Sequence, residues 1–265
     1  MAPGEVYATI LDEGSYLCSE RTMYRILGRN RQNVLRHQSA PRAYAAPELM
    51  ASRVNELWSW DITKLKGPSK WTYFYLYKIM DIFSRYVVGW MIHYKESAML
   101  AEALIAETCL KQDIKPGELT VHADNGPSMT SFLVAQLLAN LGITKSHSRP
   151  HVSNDNPFSE SAFKTLKYRP DFPEYFETIE HAQAFCRLFF EWYNHQHRHS
   201  GISMLTPASV HYNQYQPILE ARSILLASAY TAHPERFVKG PTIVKALPNK
   251  VWINKPKTVP QILVS

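Results

Sequence analysis

Residues 57–65, Leu57-Trp58-Ser59-Trp60-Asp61-Ile62-Thr63-Lys64-Leu65, repeat every second position: Trp58, Trp60 and Ile62 alternate with Ser59, Asp61 and Thr63. A period of two describes a β-strand with one apolar face, and Asp61 stands on the polar side. A Gly67-Pro68-Ser69 turn leads to WTYFYLYKIMDIF (71–83), and Ser84-Arg85 leads to YVVGWMIH (86–93). These three strands are expected to form an antiparallel meander.

Beyond residue 96 the period lengthens. SAMLAEALIAETCLKQ (97–112) is an Ala- and Leu-rich helix, ELTVHAD (118–124) a short strand, SFLVAQLLANLG (131–142) a helix and ITKSH (143–147) another short strand. After a polar loop, SNDNPFSESAFKTLK (153–167) begins a further helix. At about 100° per residue Glu160, Lys164 and Lys167 share one stripe of that helix, while Phe158, Ala162 and Leu166 lie opposite. Asp155 is expected to cap this helix or its loop, with Pro157 at an early helical position. Three antiparallel strands followed by alternating strand and helix specify an α/β domain with a mixed five-stranded sheet and flanking helices.

The ends differ from this middle. Residues 5–16 and 19–28 read as two short helices separated by Gly14, with Ser19 as cap of the second. Met23, Ile26 and Leu27 should face inward, and Arg21, Arg25 and Arg29 outward. Both a partial helix-turn-helix and a plain helical hairpin fit this pattern. Between residues 21 and 42 stand six arginines (Arg21, Arg25, Arg29, Arg31, Arg36, Arg42) and no Asp or Glu. The expected division is 1–37 as a partial helix-turn-helix-like DNA-binding region, 38–53 as a linker with Pro41 and Pro47, 54–213 as the main domain, and 214–265 as a basic extension. That last stretch sets Lys239, Lys245, Lys250, Lys255 and Lys257 among prolines.

Composition bounds the function. Of 265 residues 45 % are hydrophobic, with fifteen Tyr, eleven Phe and six Trp, enough to bury a large core. The net charge of +6 favours a polyanionic partner. Cys18, Cys109 and Cys186 lie far apart with no metal-ligand spacing, as in a reducing compartment. No apolar run approaches the roughly 20 residues a membrane helix requires, so a cytoplasmic protein without a membrane partner is expected.

The acids carry the chemistry. Asp124 follows the strand LTVH, and ligand sites in open α/β sheets gather at such strand ends; Asp-Asn-Gly is also an ordinary turn. An Asp within a strand, as at 61, is intrinsically disfavoured and asks for a reason. Asp61, Asp124 and Glu160 are separated by 62 and then 35 residues. Three carboxylates held close repel one another unless a dication neutralises them. Hard oxygen ligands without Cys or well-placed His select Mg²⁺ or Mn²⁺ over zinc. His195 and His199 in HQHRH have no third ligand at a zinc-site spacing. Asp81 is expected to serve the strand end through Ser84 or Arg85.

The blocks WSWDITKL, YLYKIMDIFSRYVVGW, HADNG, SRPHVSNDNPFSESAFKTLKYRP, FFEWYNHQHRHSGI, LTPASVH, HPERFVKG and ALPNKVWIN occur here in order. Together they resemble the DDE transposases of bacterial insertion sequences, in the group whose catalytic subunit comes from the second of two overlapping reading frames and is similar to retroviral integrase. The resemblance runs from about residue 15 and includes the 35-residue gap between Asp124 and Glu160. It implies a ribonuclease-H-like fold and an integrase catalytic core over 54–213, with Asp61, Asp124 and Glu160 as metal-binding catalytic triad for two ions. It implies an enzyme that cleaves DNA at element ends and transfers the freed 3′-hydroxyl into target DNA. Lys164 and Lys167 would contact phosphates of the processed end. Lys145, Arg149, His147 and His151 are further candidates for DNA contact, and His122 and Asn125 for orienting the site. Implied partners are DNA, other copies of the chain at synapsis, and an upstream-frame protein. The alternatives are a catalytically silent DNA-binding regulator of the same lineage, and a ribonuclease-H-like nuclease that hydrolyses without joining.

Overall fold

The computed structural model describes residues 3–30, 46–124, 126–149 and 155–256. Arg31, Arg36, Arg42, residues 38–45 of the expected linker, Asn125, His151 and Lys257 lie outside the described residues. The chain divides into two compact units, Met1–Tyr44 and Ala45–Ser265.

The first unit contains α1 (Pro3–Asp12) and α2 (Glu20–Arg29). Between them Gly14 takes a left-handed φ of +77°, which glycine tolerates at little cost. Ser19 caps α2, its Oγ accepting the Thr22 N–H at 3.4 Å. Arg21, Arg25 and Arg29 are exposed. Ile26 departs from its expected inward placement: it is 47 % exposed, and α2 buries none of its residues, since two ten-residue helices have too little surface to enclose their apolar sides.

In the second unit β2 (Leu57–Lys66), β3 (Tyr73–Asp81) and β4 (Val87–His93) form the antiparallel meander. The strands β5 (Thr120–Ala123) and β6 (Thr144–His147) add on the other side of β2 in parallel, giving the order β4-β3-β2-β5-β6. Parallel neighbours need a crossover, here α3 (Ala98–Lys111) before β5, and the one-turn α4 (Pro127–Thr130) with α5 (Phe132–Asn140) between β5 and β6. Trp58, Trp60, Tyr77 and Ile79 pack on one face against Leu104 and Ile105 of α3 and Val134 and Leu138 of α5.

The opposite face is covered too. Leu65, Leu76 and Met80 pack against Ala162, Phe163 and Leu166 of α6 (Pro157–Lys167) and against Phe189, Phe190 and Tyr193 of α7 (Ile179–His195). The side of β2 that alternation marks as polar therefore lies under a helix, and Ser59 is fully buried there. Asp81 holds the end of β3, its Oδ2 accepting Ser84 N–H at 2.8 Å and Ser84 Oγ–H at 2.5 Å, and its Oδ1 the Asn55 N–H at 2.9 Å.

Two regions read as linker and tail carry structure. The strand β1 (Leu49–Ala51) pairs antiparallel with β7 (Val251–Ile253), Met50 opposite Trp252. Ala51, Val251 and Ile253 pack there with Leu57 and Ile82. A further helix spans Gln216–Ala232. No helix among the described residues is long and apolar enough to cross a membrane.

Candidate active site

The parallel register pairs Trp60 of β2 with Ala123 of β5. The next residue on each strand is an acid, so Asp61 and Asp124 emerge side by side at the carboxyl end of β5. Asp124 is exposed, and its Oδ1 accepts the Gly126 N–H at 3.0 Å, a bond from its own side chain to the backbone two residues on that Asp commonly makes. Asp61 is half-buried, with the Ile62 N–H donated to its Oδ1 at 2.8 Å. Burial pushes the Asp61 carboxyl above its ordinary pKa; Lys78 opposes this, and the nearby charge of Asp124 adds to it.

The third acid arrives on α6. Pro157 occupies the first turn and Asn156 the cap position. The Asn156 side chain does not cap the helix, because it is bonded elsewhere: Ser59 Oγ donates to its Oδ1 at 2.5 Å and its Nδ2 donates to the Trp60 carbonyl at 3.3 Å. Ser59 Oγ and Ser159 Oγ share a further hydrogen bond of 2.5 Å. Residues immediately before Asp61 thus hold the first turn of α6. Its exposed stripe places Glu160, Lys164 and Lys167 at a cavity of about 570 Å³ that Asp61 and Asp124 also line. Thr63, Phe163 and Tyr168 complete much of the wall, Tyr168 with 82 % of its surface exposed.

Each cation in this cavity has a partner. Lys164 Nζ lies 3.0 Å from Glu160 Oε1, and Lys167 Nζ donates to Thr63 Oγ1 at 2.6 Å. Burial lowers the Lys167 pKa, and Asp61 raises it. Among the described residues no three His, Cys, Asp or Glu side chains stand close enough together to hold one metal ion. Glu160 faces Lys164, whose attraction offsets the repulsion of a third carboxylate. The donor set nevertheless fits a hard divalent cation: three carboxylates at one cavity, one of them half-buried with its pKa raised.

The remaining sequence candidates separate. His122 is buried on β5; one ring nitrogen lies 2.8 Å from the Asp155 carbonyl and the other 3.1 Å from Ser146 Oγ, so it ties residue 155 to strands β5 and β6. His147 Nδ1 lies 3.1 Å from the Asp124 carbonyl. Lys145 on β6 is half-buried and does not line the cavity. Arg149, expected at DNA, turns inward: its Nε and Nη2 donate to Asp155 Oδ2 and Oδ1 at 2.9 and 3.1 Å. Asp155 is fully buried and ties the loop through Arg149, while Asn156 holds the cap position.

Sequence reasoning missed Lys78. It is fully buried, stands opposite Asp61 in the β2–β3 register, donates to the Ser159 carbonyl at 3.2 Å and lies 4.2 Å from the centre of the Phe163 ring. A lysine inside the apolar run YLYKIM was the available signal, because lysine is almost never fully buried without a partner. Burial lowers its pKa, and Asp61 raises it. Replacing Lys78 by Met is expected to move the Asp61 pKa further up, since the one cation that opposes burial most strongly is gone. A carbon-detected NMR titration of the Asp61 carboxyl measures this; an unchanged or lower midpoint contradicts it.

Two models described as integrase core domain match residues 51–153 and 141–207, together more than half of the chain. The chain is 33 % identical over 158 residues to the transposase for insertion sequence element IS904 of Lactococcus lactis, a match covering 59 % of this chain and 61 % of that protein. It is 32 % identical over 162 residues to transposase InsF for insertion sequence IS3A of Escherichia coli K12, covering 60 % of this chain and 55 % of that one. The matches thus span less than two thirds of either relative's length. In structure the chain is similar to a chain of the simian T-cell lymphotropic virus intasome in complex with PP2A regulatory subunit B56 gamma, with a TM-score of 0.51 and 20 % identity over 78 % of this chain and 70 % of that one. The five-stranded mixed sheet with helices on both faces is thereby the ribonuclease-H-like fold of integrase cores. With its integrase core and its insertion-sequence relatives, the chain belongs to the DDE transposases of bacterial insertion sequences.

Proposed function

We propose that this chain cleaves DNA at the ends of an insertion sequence and joins the freed 3′-hydroxyl to target DNA, with Asp61, Asp124 and Glu160 as the catalytic carboxylates. The observation that carries this reading is the shared cavity: two neighbouring acids, one within β2 and one just past the end of β5, a third on a helix, and two lysines one and two turns further along that helix. A carboxylate cluster alone repels a phosphodiester, and Lys164 and Lys167 supply the cations that hold one. Asp61, Asp124 and Glu160 would hold Mg²⁺ or Mn²⁺, probing the same chemistry as two-ion phosphoryl transfer enzymes, where the metal stabilises attacking and leaving oxygens in an in-line displacement.

The chain's own residues prepare that displacement. Ser59 and Asn156 fix the start of α6 against β2, so that Glu160 stays at the cavity holding Asp61. Lys167, already on Thr63, offers a phosphate oxygen a cation beside Asp61. The nucleophile is water in cleavage and the 3′-hydroxyl in joining, and no side chain forms a covalent intermediate. Arg21, Arg25 and Arg29 on α2 are exposed and suited to phosphate contact. Arg149, engaged by Asp155, serves the loop. Synapsis of two ends calls for more than one copy of the chain, and an upstream-frame protein is a candidate partner in end recognition.

Incubating the purified chain with labelled element ends and Mg²⁺ tests the proposal. Nicked ends and joined products support it. Binding without cleavage indicates a silent regulator, and cleavage without joining a nuclease. Lys164→Ala is expected to weaken DNA binding and lower the slope of log affinity against log salt by about one. A salt titration by fluorescence anisotropy measures this, and an unchanged slope removes Lys164 from the phosphate contacts.

A further inference from the structure

We propose that Asn254, just past the C-terminal strand β7, is a positioning residue for the active site, fixing through Asp155 the start of the helix that carries Glu160. The amide nitrogen of Asn254 is committed twice: Nδ2 donates to Asp155 Oδ1 at 2.9 Å and to the Pro47 carbonyl at 3.2 Å. These bonds cross 99 and 207 residues of sequence. Asn254 has a φ of +52°, a left-handed conformation that Asn accepts more readily than most side chains. The position therefore asks for a residue that combines that backbone with a short double donor.

Asp155 passes the constraint on. Its buried carboxylate also takes the Arg149 N–H and guanidinium, and its carbonyl lies 2.8 Å from His122 Nε2, two residues before Asp124. The next residue, Asn156, is bonded to Ser59 and Trp60, the two residues before Asp61. One peptide unit, 155–156, thus joins the base of all three acids, and the C-terminal segment grips it from outside. The segment from 251 to 254 is part of the scaffold of the site, in addition to any contact its basic neighbours make with DNA. Outer partners of this kind change rates tenfold to a hundredfold when removed.

The test uses the full chain with Asn254→Gly, which keeps the left-handed backbone and removes the amide, and Asn254→Asp, which sets a carboxylate against Asp155. Hydrogen exchange followed by mass spectrometry is expected to show amides of residues 156–163 exchanging at least about tenfold faster in both variants, with β3 and α3 unchanged. Unchanged exchange at 156–163, or a uniform acceleration that includes β3 and α3, overturns the proposal. The activity readout rests on the function proposed above: kcat for end cleavage should fall about tenfold to a hundredfold with KM for the DNA end unchanged. A loss confined to KM also overturns it. Should the wild-type chain fail to cleave, that defeats the proposed reaction, while the exchange pattern still decides the role of Asn254.

Discussion

Asp61→Asn is expected to lower end cleavage by about a thousandfold or more, roughly 4 kcal/mol of barrier, while DNA binding survives. The substitution is nearly isosteric, and the Ile62 N–H that now meets Asp61 Oδ1 at 2.8 Å meets the Asn oxygen equally well, so the local backbone keeps its bond. What disappears is a negative charge at a cavity shared with Asp124 and Glu160. Affinity for DNA should stay level or rise, since a groove that holds phosphates loses a repelling group. Asp124→Asn and Glu160→Gln should behave alike, because carboxylates that act as one unit are strongly non-additive when removed together. A gel assay on labelled ends beside an anisotropy titration checks both halves. Cleavage within tenfold of wild type in any one variant takes that residue out of the catalytic set.

The second large effect is on stability. Asp155→Ala is expected to cost about 3 kcal/mol, because it leaves the Arg149 N–H, the Arg149 guanidinium and the Asn254 amide without their acceptor. The guanidinium recovers part of its hydration, since 34 % of the Arg149 side chain is exposed, which keeps the cost below that of a fully buried pair. The same contacts set a pH dependence. Hydrogen bonds from the Arg149 side chain, then its backbone N–H and Asn254, hold the Asp155 carboxyl down at about 2 against the opposing effect of burial. A carboxyl depressed in the folded state stabilises above its unfolded pKa of about 4 and loses that contribution as pH falls toward 2. Urea denaturation from pH 7 to pH 2.5 should therefore show an acid loss in the wild type that is smaller in Asp155→Asn. Equal slopes in the two proteins contradict the assignment.

These residues show where a sequence is legible. The meander was readable because Trp58, Trp60 and Ile62 keep a period of two over a full strand, and the stripe of Glu160, Lys164 and Lys167 because α6 keeps a period of 3.6 over three turns. Asp61 and Asp124 could be named as candidates, but their adjacency comes from the parallel pairing of Trp60 with Ala123, which no local pattern encodes. Lys78 was passed over because its meaning depends on a helix placed over β2 from about 80 residues away in sequence, where Ser159 supplies its acceptor. Arg149 looked like a surface cation in a polar loop; only the fold brings Asp155 beneath it. The β1–β7 pair was illegible for a simpler reason, since three residues cannot display a period and the two strands lie at opposite ends of the unit. Long periodic elements are local facts. The contacts that orient the site are between elements.

Glu160 is paired with Lys164, so a cation that enters the cavity competes with Lys164 for this carboxylate. Diffraction from crystals soaked in Mn²⁺, recorded where manganese scatters anomalously, shows whether these carboxylates hold a divalent cation. An anomalous peak is expected in the cavity, with carboxylate oxygens of Asp61 and Asp124 as its ligands. Crystals soaked at a concentration that supports cleavage, yet showing no peak on those oxygens, would contradict metal binding there.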